Sequence, residues 1–302
     1  MISVGLLGTN TSHAGVFAAL LNGGPDGAPA RVAGARVTAV WSSGQAGLSG
    51  MHDDAPTLAA RHGIDRVVEQ PEDLLDPASS VDAVLVVDDL DGGSLHAELA
   101  RPFVEAGVPT FIDKPMTLEL ADAASLFDVA ERAGTPLLSS SALRFATELP
   151  AVTGPEAGVG ALSSVVSVGP GDWYNYGVHA VEVACAVTGP GASWVQRFAG
   201  ADRDVAVVGF DGGPTLVVQT LRDAAYLFHL SAYGSDGMAQ TQIADADGFY
   251  AGTMAAFVRM VETGQSPVSP AETLQVLAIL AAGERSAATG ERVALAELLA
   301  AS

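Results

Sequence analysis

The amino-acid sequence predicts an α/β protein of two domains: first a doubly wound parallel sheet, then an α+β domain with an open, mostly antiparallel sheet. Up to residue 141, short apolar runs alternate with helical segments, which is typical of βαβ units. Beyond residue 141, strand-like segments are separated by turn signals such as Asp-Gly-Gly-Pro at 211–214. We therefore expect one domain over 1–141 and another over 142–302.

The first domain begins with the uninterrupted apolar run ISVGLLG. Its later strands are also continuous apolar runs, as strands covered on both faces are. Its first two helices end at glycines, Gly23-Gly24 and Gly63. In chain order we expect strand 2–8, helix 12–24, strand 36–41, helix 55–63, strand 82–87, helix 94–107, strand 109–112, helix 117–134 and strand 136–141.

The second domain is expected to contain a set of strands followed by two helices. The strands are predicted at 161–168, 204–210, 215–221, 225–233 and 239–245, and the helices at roughly 249–263 and 270–289. An open sheet exposes an apolar face, and such faces are commonly covered by another chain. We therefore expect a homodimer or a homotetramer.

Composition limits the class of protein. Hydrophobic residues make up 49% of the 302 residues, and no apolar run approaches the roughly 18 residues of a membrane-spanning helix. The net charge of −21 repels phosphate backbones and anionic membranes, so we expect neither nucleic acid nor a membrane as a partner. The N-terminus reads as a strand rather than a signal peptide, and the single cysteine, Cys185, fits a reducing cytosol. We expect a cytoplasmic protein in which Cys185 is a core residue.

The segment Asp113-Lys114-Pro115 follows an apolar run and contains the single lysine of the chain. The other thirteen strong bases are arginines. A guanidinium stays charged, whereas a lysine amine can lose its proton when its surroundings lower its pKa. A lysine at this position therefore indicates a site that needs an amine; chance placement at a strand end is the alternative.

The turn after the first strand is the expected place for a dinucleotide pyrophosphate, with the usual fingerprint Gly-x-Gly-x-x-Gly. This chain has Gly8 at the first position, Asn10 at the second and His13 at the third. Asparagine tolerates a positive φ, and Thr11 or Ser12 can cap the helix, so the turn can still hold phosphate. A capped turn without a ligand is the alternative.

The second strand ends at Trp41-Ser42-Ser43 and lacks the acidic residue that usually holds the adenosine ribose of NAD. Ser42 and Ser43 could hydrogen-bond a 2′-phosphate, but no arginine adjoins them. We therefore expect NAD or NADP as the cofactor, with weak selectivity between them.

A second candidate for chemistry is His179, which Asn175 precedes and Glu182 follows. On a helix these three positions would share one face, and histidine is suited to proton transfer near neutral pH. A histidine with only a structural role is the alternative. We expect no metal site, because the remaining candidates lack metal-like spacing: His13, His52, His62 and His96.

Together these motifs resemble the glucose–fructose oxidoreductase/inositol dehydrogenase (Gfo/Idh/MocA) family. Its Glu-Lys-Pro signature appears here as Asp113-Lys114-Pro115, and its Asp-x-Gly-x-His-x-x-Asp signature as the segment from Asn175 to Glu182. The tail from 257 to 295 also resembles the closing helices of the family. The resemblance implies an N-terminal Rossmann domain and a C-terminal domain with an open sheet.

The resemblance further implies an NAD(P)-dependent oxidoreductase acting on a hydroxyl or carbonyl group of a small polyol, sugar or related metabolite. Lys114 would lie near the nicotinamide and the substrate hydroxyl, and His179 would be the general acid/base, with Asn175 orienting its ring. The cofactor would contact Gly8, Thr9, Asn10, Ser12, His13, Ser42, Asp113 and Lys114.

The chain also departs from the family pattern. Two fingerprint glycines and the ribose acid are absent, Asn175 replaces an aspartate, and the segment 86–96 places Asp88, Asp89 and Asp91 near an anionic ligand. These departures leave two alternatives open. One is a non-redox relative that binds a ligand or acts as an accessory protein, and the other is a lyase or isomerase with a recycled cofactor.

Overall fold

A parallel sheet of six strands forms the first half of the described chain. The computed structural model describes residues 1–24, 27–48, 50 and 54–300. The strands are β1 (Ile2–Leu7), β2 (Ala35–Trp41), β3 (Arg66–Val67), β4 (Ala83–Val86), β5 (Thr110–Ile112) and β6 (Leu137–Ser139). Their order in the sheet is β3-β2-β1-β4-β5-β6, so strand addition changes direction between β1 and β4. In open parallel sheets, ligands bind outside the carboxyl ends of the strands at this switch point.

Four helices connect the strands of this sheet within the described ranges. They are α1 (Ser12–Asn22), α2 (Ala55–His62), α3 (His96–Glu105) and α4 (Leu120–Ala133). The residues of β4 are all buried, and Val84, Leu85 and Val86 have no exposed surface, as expected of a strand covered on both faces. No helix in the described part of the chain is both long enough and apolar enough to cross a membrane.

The second sheet is mixed but mostly antiparallel. In the described residues it has the order β12-β11-β7-β10-β9-β8-β13, and β7 with β10 is its parallel pair. The strands are β7 (Leu162–Pro170), β8 (Ala192–Ala199), β9 (Arg203–Phe210), β10 (Thr215–Leu221), β11 (Phe228–Gly234), β12 (Met238–Ile243) and β13 (Val293–Ala294). The helices are α5 (Pro150–Thr153), α6 (Gly177–Thr188), α7 (Ala246–Thr263), α8 (Pro270–Thr289) and α9 (Leu295–Leu299). The predicted fold class is confirmed.

The chain divides into two compact units that are not fully continuous in sequence. The first comprises Met1–Ser140 and Tyr250–Val268, and the second Ser141–Phe249 and the chain from Ser269. Residues 250–268, which the sequence assigns to the second domain, thus pack with the first. The cause is packing between aromatic rings. Helix α7 places Phe257 6.4 Å from Phe111 and Tyr250 6.1 Å from Phe17, measured between ring centroids.

Three strands lie outside the predicted set: β3, β8 and β13. Two of them have only two residues each, too short for a recognisable apolar run. In β8 the apolar pattern is interrupted by Arg197, which is buried because its guanidinium bonds the buried carboxylate of Asp204 at 2.9 Å. Because the charged residues of such a buried pair lower the hydropathy of the segment, a prediction from hydropathy does not find this strand.

The turn after β1 passes directly over the backbone at the end of β4. Gly8 has a φ of +113°, and a Cβ built there would lie 2.4 Å from the backbone nitrogen of Asp88. The N–H of Gly8 also donates to the carbonyl of Trp41 at the end of β2, at 3.0 Å. Only glycine fits this turn, which brings together the ends of three neighbouring strands.

We predict that Gly8→Ala lowers the free energy of unfolding by more than about 2 kcal/mol, because it adds a steric clash to the strain of a positive φ. Gly134→Ala is the matched control, since Gly134 has a φ of +67° and no atom within 4 Å of a built Cβ. The control should lose only about 1 kcal/mol. Urea unfolding of both variants measures the difference, and equal losses would contradict the close crossing at Gly8.

Candidate active site

The carboxyl ends of the parallel strands carry most of the residues that the sequence assigns to a cofactor site. Because parallel strands end at the same edge of a sheet, these residues are gathered in the first unit. They are Gly8, Thr9 and Asn10 after β1, Ser12 and His13 in α1, Ser42 after β2, and Asp113 and Lys114 after β5.

Asn10 is fully buried and joins the turn after β1 to the end of β4. Its side-chain N–H donates to Oδ2 of Asp88 at 3.2 Å, and its Oδ1 accepts from the backbone N–H of Asp89 at 2.8 Å. Both polar groups of Asn10 are thus engaged within the protein. Asn10, at the second glycine position of the fingerprint, therefore links the turn after β1 to the turn after β4.

The segment from Ser42 to Leu48, which we call the 42–48 loop, is bonded to both of these turns. The hydroxyls of Thr9 and Ser42 lie 2.7 Å apart, and Ser43 donates to Oδ2 of Asp88 at 2.8 Å. The loop therefore runs from the end of β2, past the turn after β1, to the end of β4. It lies against the switch point of the sheet.

Lys114 lies at the end of β5 and is partly buried. Its charge acts on the carboxyl groups of Asp89 and Asp113 and on His96. Burial raises the pKa of Asp89, although the nearby charge of Lys114 opposes this rise. Among the described residues, no carboxylate oxygen lies within 4.0 Å of the Lys114 amine nitrogen, so Lys114 forms no ion pair there.

His96, at the start of α3, belongs to this site and is a residue that sequence reasoning missed. Its Nδ1 lies 2.8 Å from the carbonyl oxygen of Pro115, so Nδ1 must carry the hydrogen. Burial lowers the pKa of His96. Its Nε2 is buried and has no hydrogen-bond partner in the described part of the protein. The signal in the sequence is a histidine that opens a helix just after the acidic segment 88–91, a pattern that metal-ligand spacing does not detect.

Asp113, His13 and Tyr250 form a hydrogen-bonded line. Nδ1 of His13 lies 2.5 Å from Oδ2 of Asp113, and Nε2 of His13 lies 3.1 Å from the Tyr250 hydroxyl. Burial raises the pKa of Asp113, but the charge and hydrogen bond of His13, and the charge of Lys114, outweigh it and hold this pKa well below its usual range. Asp113 is therefore a carboxylate.

His179 lies in the second unit, near the start of α6. Its Nδ1 is 2.7 Å from the hydroxyl of Ser141. Aromatic rings flank it, with the centroid of Tyr176 at 6.0 Å and that of Phe228 at 5.7 Å. Ser141 thus holds one ring nitrogen of His179. The contact joins residues 38 positions apart, and no local pattern in the sequence predicts it.

The predicted helical face shared by Asn175, His179 and Glu182 is wrong at its first member. Helix α6 begins at Gly177, so Asn175 precedes it. The backbone and side-chain N–H groups of Asn175 instead donate to the carboxylate of Asp172, at 2.8 and 3.0 Å. This carboxylate holds the chain in a turn before the helix can start.

Glu182 is on α6 as predicted, but its carboxylate is buried beside the guanidinium of Arg144. Burial raises the pKa of Glu182, and the charge of Arg144 opposes the rise. Arg144 also bonds Glu272 of α8 at 2.9 Å. Glu182 therefore belongs to a buried ion-pair network that ties α6 to α8.

The donors at the β1 turn fit a dinucleotide in their chemistry. Hydroxyl groups of Thr9, Thr11 and Ser12 and the first backbone N–H groups of α1 are the kind of donors that hold a pyrophosphate. A Cβ built at Gly47 would lie 2.1 Å from the carbonyl oxygen of Asn10, so the 42–48 loop is packed against the turn.

Two other expectations concern metal ions and the cysteine. Within the described ranges, no group of three or more His, Cys, Asp or Glu side chains is arranged to hold a metal ion. His52, one of the histidines without metal-like spacing, lies outside the described residues. Cys185 is 1% exposed, and burial raises the pKa of its thiol to about 12, which suits a core residue and not a nucleophile.

The strand order of the first sheet is that of the Rossmann-type dinucleotide-binding class of proteins. Residues 2–140 match the sequence model of the GFO_IDH_MocA oxidoreductase family, described as an NAD-binding Rossmann fold. The resemblance to the Gfo/Idh/MocA family is therefore confirmed over residues 2–140, the part of the chain that matches the NAD-binding model.

Similar proteins extend over both units of the chain. D-xylose 1-dehydrogenase (NADP(+)) 2 of Haloferax volcanii is 27% identical, over 72% of this chain and 84% of that protein. Myo-inositol dehydrogenase of Lactobacillus casei, solved with NAD(H) and myo-inositol, has a TM-score of 0.80 at 17% identity, covering 97% of this chain and 96% of that one. Myo-inositol dehydrogenase of Corynebacterium glutamicum has a TM-score of 0.78 at 18% identity, covering 98% and 99%. The two solved structures establish the shared fold.

We predict that Asp113→Asn destabilises the protein at neutral pH and that the difference from wild type becomes smaller as the pH falls below the unfolded pKa of about 3.9. The pKa of Asp113 is lower in the folded protein than in the unfolded chain, where it is about 3.9. Its stabilisation is therefore fully present above the unfolded pKa and is lost as the pH falls through the folded pKa. Urea unfolding from pH 7 to pH 3 measures this, and a constant difference over that range would contradict the assignment of the low pKa.

Proposed function

We propose that the protein is an NAD(P)-dependent oxidoreductase that interconverts a hydroxyl and a carbonyl group in a sugar, polyol or related small metabolite. The observation that carries the proposal is Lys114, the single lysine, at the carboxyl end of β5 without an ion-pair partner among the described residues. The match of residues 2–140 to an oxidoreductase family supports it. So do the D-xylose and myo-inositol dehydrogenases among the similar proteins.

The proposed roles are those that the resemblance to the Gfo/Idh/MocA family implies for the matching residues. The nicotinamide, when bound, supplies or accepts the hydride. Lys114 orients the substrate hydroxyl and assists its proton transfer, and His179 acts as the general acid/base, with its Nδ1 fixed by Ser141. In this proposal the first unit holds the dinucleotide and the second holds the substrate, in a cytoplasmic enzyme.

The proposed cofactor is NAD or NADP without a strong preference. The hydroxyl of Ser42, at the end of β2, bonds Thr9, and neither an acid nor an arginine adjoins it in the sequence. A ribose acid would favour NAD and an arginine would favour NADP. Thermal shift and bound-nucleotide mass analysis with all four forms of the cofactor test this part of the proposal.

A second candidate function is ligand binding without redox chemistry. The observation that favours it is the 42–48 loop, packed against the turn that would receive the pyrophosphate. A protein with this function would bind a small metabolite but show no stabilisation by any dinucleotide. The same thermal-shift experiment therefore separates the two candidates.

We predict that Lys114→Arg retains the fold and the cofactor affinity but loses about 10²–10⁴-fold in turnover, because arginine keeps a charge but does not readily release a proton. Dehydrogenase activity towards aldoses and inositols, followed by NAD(P)H absorbance, is the measurement. Arg66→Lys is the control, since it makes the converse exchange at the first residue of β3, on the edge of the sheet. Turnover in Lys114→Arg equal to wild type would remove the amine-specific role.

We also propose that the uncovered face of the second sheet binds a second copy of the chain. Val166, Val207 and Val217 lie side by side on three adjacent strands, and all three are only partly buried in the single chain. This row carries no charge although the chain has a net charge of −21. An uncharged apolar row on so acidic a protein can pack against the same row of a second copy of the chain.

We predict a dimer or tetramer in solution that Val207→Lys converts to a smaller species, because a buried ammonium without a partner is costly. Light scattering after size-exclusion chromatography measures the mass. Ala121→Lys adds the same charge at an exposed site on α4 and should leave the assembly unchanged. A wild-type monomer at micromolar concentration would contradict the proposed interface.

A further inference from the structure

Asp113 and Lys114 are neighbours in the chain at the carboxyl end of β5. A carboxylate close to an amine stabilises the protonated amine. An ion pair between these two residues would therefore oppose the proton transfer proposed for Lys114. The sequence places the two charges side by side, so something in the fold has to keep them apart if the amine is to act.

The structure turns the Asp113 carboxylate towards α1. Its Oδ2 lies 2.5 Å from Nδ1 of His13, and the two residues are 6% and 9% exposed. Lys114, in contrast, has no carboxylate within 4.0 Å in the described part of the chain. The carboxylate of Asp113 is thus hydrogen-bonded to a residue 100 positions earlier in the sequence.

The imidazole of His13 is itself fixed on both sides. Its Nε2 lies 3.1 Å from the hydroxyl of Tyr250 on α7. The ring stacks on Phe17 with 5.4 Å between centroids and meets Tyr250 edge-on at 5.2 Å. The backbone N–H of His13 donates to the hydroxyl of Thr11 at the start of α1. Rotating the ring away from Asp113 would break the contacts with both Phe17 and Tyr250.

We propose that His13 is a positioning residue that holds the Asp113 carboxylate away from Lys114 and so leaves the amine without an ion-pair partner. The catalytic meaning of this arrangement rests on the proposed function, but the arrangement itself is a property of the protein without ligands. The titratable groups that bond or act on the pair are the Tyr250 hydroxyl on α7, His96 on α3 and Lys114 after β5, and Asp113 acts in turn on Asp89 after β4.

The single lysine makes a direct test possible. In protein labelled with ¹⁵N-lysine, Lys114 gives the one side-chain ammonium signal, and its pKa can be measured by NMR without cofactor or substrate. In His13→Leu the freed carboxylate should pair with Lys114 and raise the pKa of Lys114 by about one unit or more. In His13→Gln, which keeps a side-chain donor for Asp113, the rise should be clearly smaller.

A double variant assigns the effect to the carboxylate. In His13→Leu with Asp113→Asn the rise should vanish, because the Asp113 carboxylate that would pair with Lys114 is no longer present. Tyr250→Phe keeps the ring but removes the hydroxyl that anchors Nε2, and it should give a partial rise. Circular dichroism establishes that each variant is folded; if His13→Leu does not fold, His13→Gln and Tyr250→Phe carry the test.

The inference is overturned by an unchanged Lys114 titration in the folded His13 and Tyr250 variants, or by a rise that persists in the double variant. A pH–rate profile adds a second readout, since the basic limb should move with the measured pKa of Lys114. Failure of the proposed function is a separate result: wild type would then show no dehydrogenase activity, while the titration of Lys114 would still respond to His13.

Discussion

The close crossing of Gly8 over the backbone of Asp88 is the constraint on which the site of the first unit depends. Because no side chain fits between them, the turn after β1 and the end of β4 approach closely enough for Asn10 to bond both Asp88 and Asp89. Asp88 in turn accepts from Ser43 of the 42–48 loop. Buried polar groups must be paired, so each contact in this series requires the one before it.

The sequence predicts the scaffold well because the scaffold depends on local patterns. Strands covered on both faces are continuous apolar runs, and the residues that must lie at their carboxyl ends follow at once. Gly8 and Lys114 can be placed in this way from the sequence alone. The segment 250–268 cannot, because its assignment to the first unit depends on rings at distant positions, such as Phe17 and Phe111.

The second unit shows the same limit at its candidate catalytic residue. The spacing of Asn175 and His179 fits a helix, but the helix starts later because Asp172 captures the backbone N–H of Asn175. The start of α6 is decided by competition between the Asp172 carboxylate and the helix for backbone N–H groups. Helical periodicity in the sequence does not reveal this competition. The partner that does hold His179 is Ser141, which precedes the whole sheet of this unit in the chain.

The electrostatics of the first unit are unusual for a site expected to bind an anion. The charge of one lysine acts on the carboxyl groups of Asp89 and Asp113, and Asp88 adjoins Asp89, in a chain with a net charge of −21. Most of their compensation comes from hydrogen-bond donors. Asp88 alone accepts from a side-chain amide, a hydroxyl and a backbone N–H. The charge of Lys114 acts on Asp89 and Asp113, but no carboxylate among the described residues forms an ion pair with it.

The departures from the family pattern come in matched pairs. Asn10 stands at the second fingerprint glycine, and its partners, Asp88 and Asp89, stand in the altered turn after β4. His13 stands at the third glycine, and its partner, Asp113, replaces the usual glutamate before the lysine. A site that had merely decayed would leave buried polar groups without partners at both glycine positions. Here Asn10 and His13 each have hydrogen-bond partners within the fold, so neither replaced glycine position leaves a buried polar side chain unpaired.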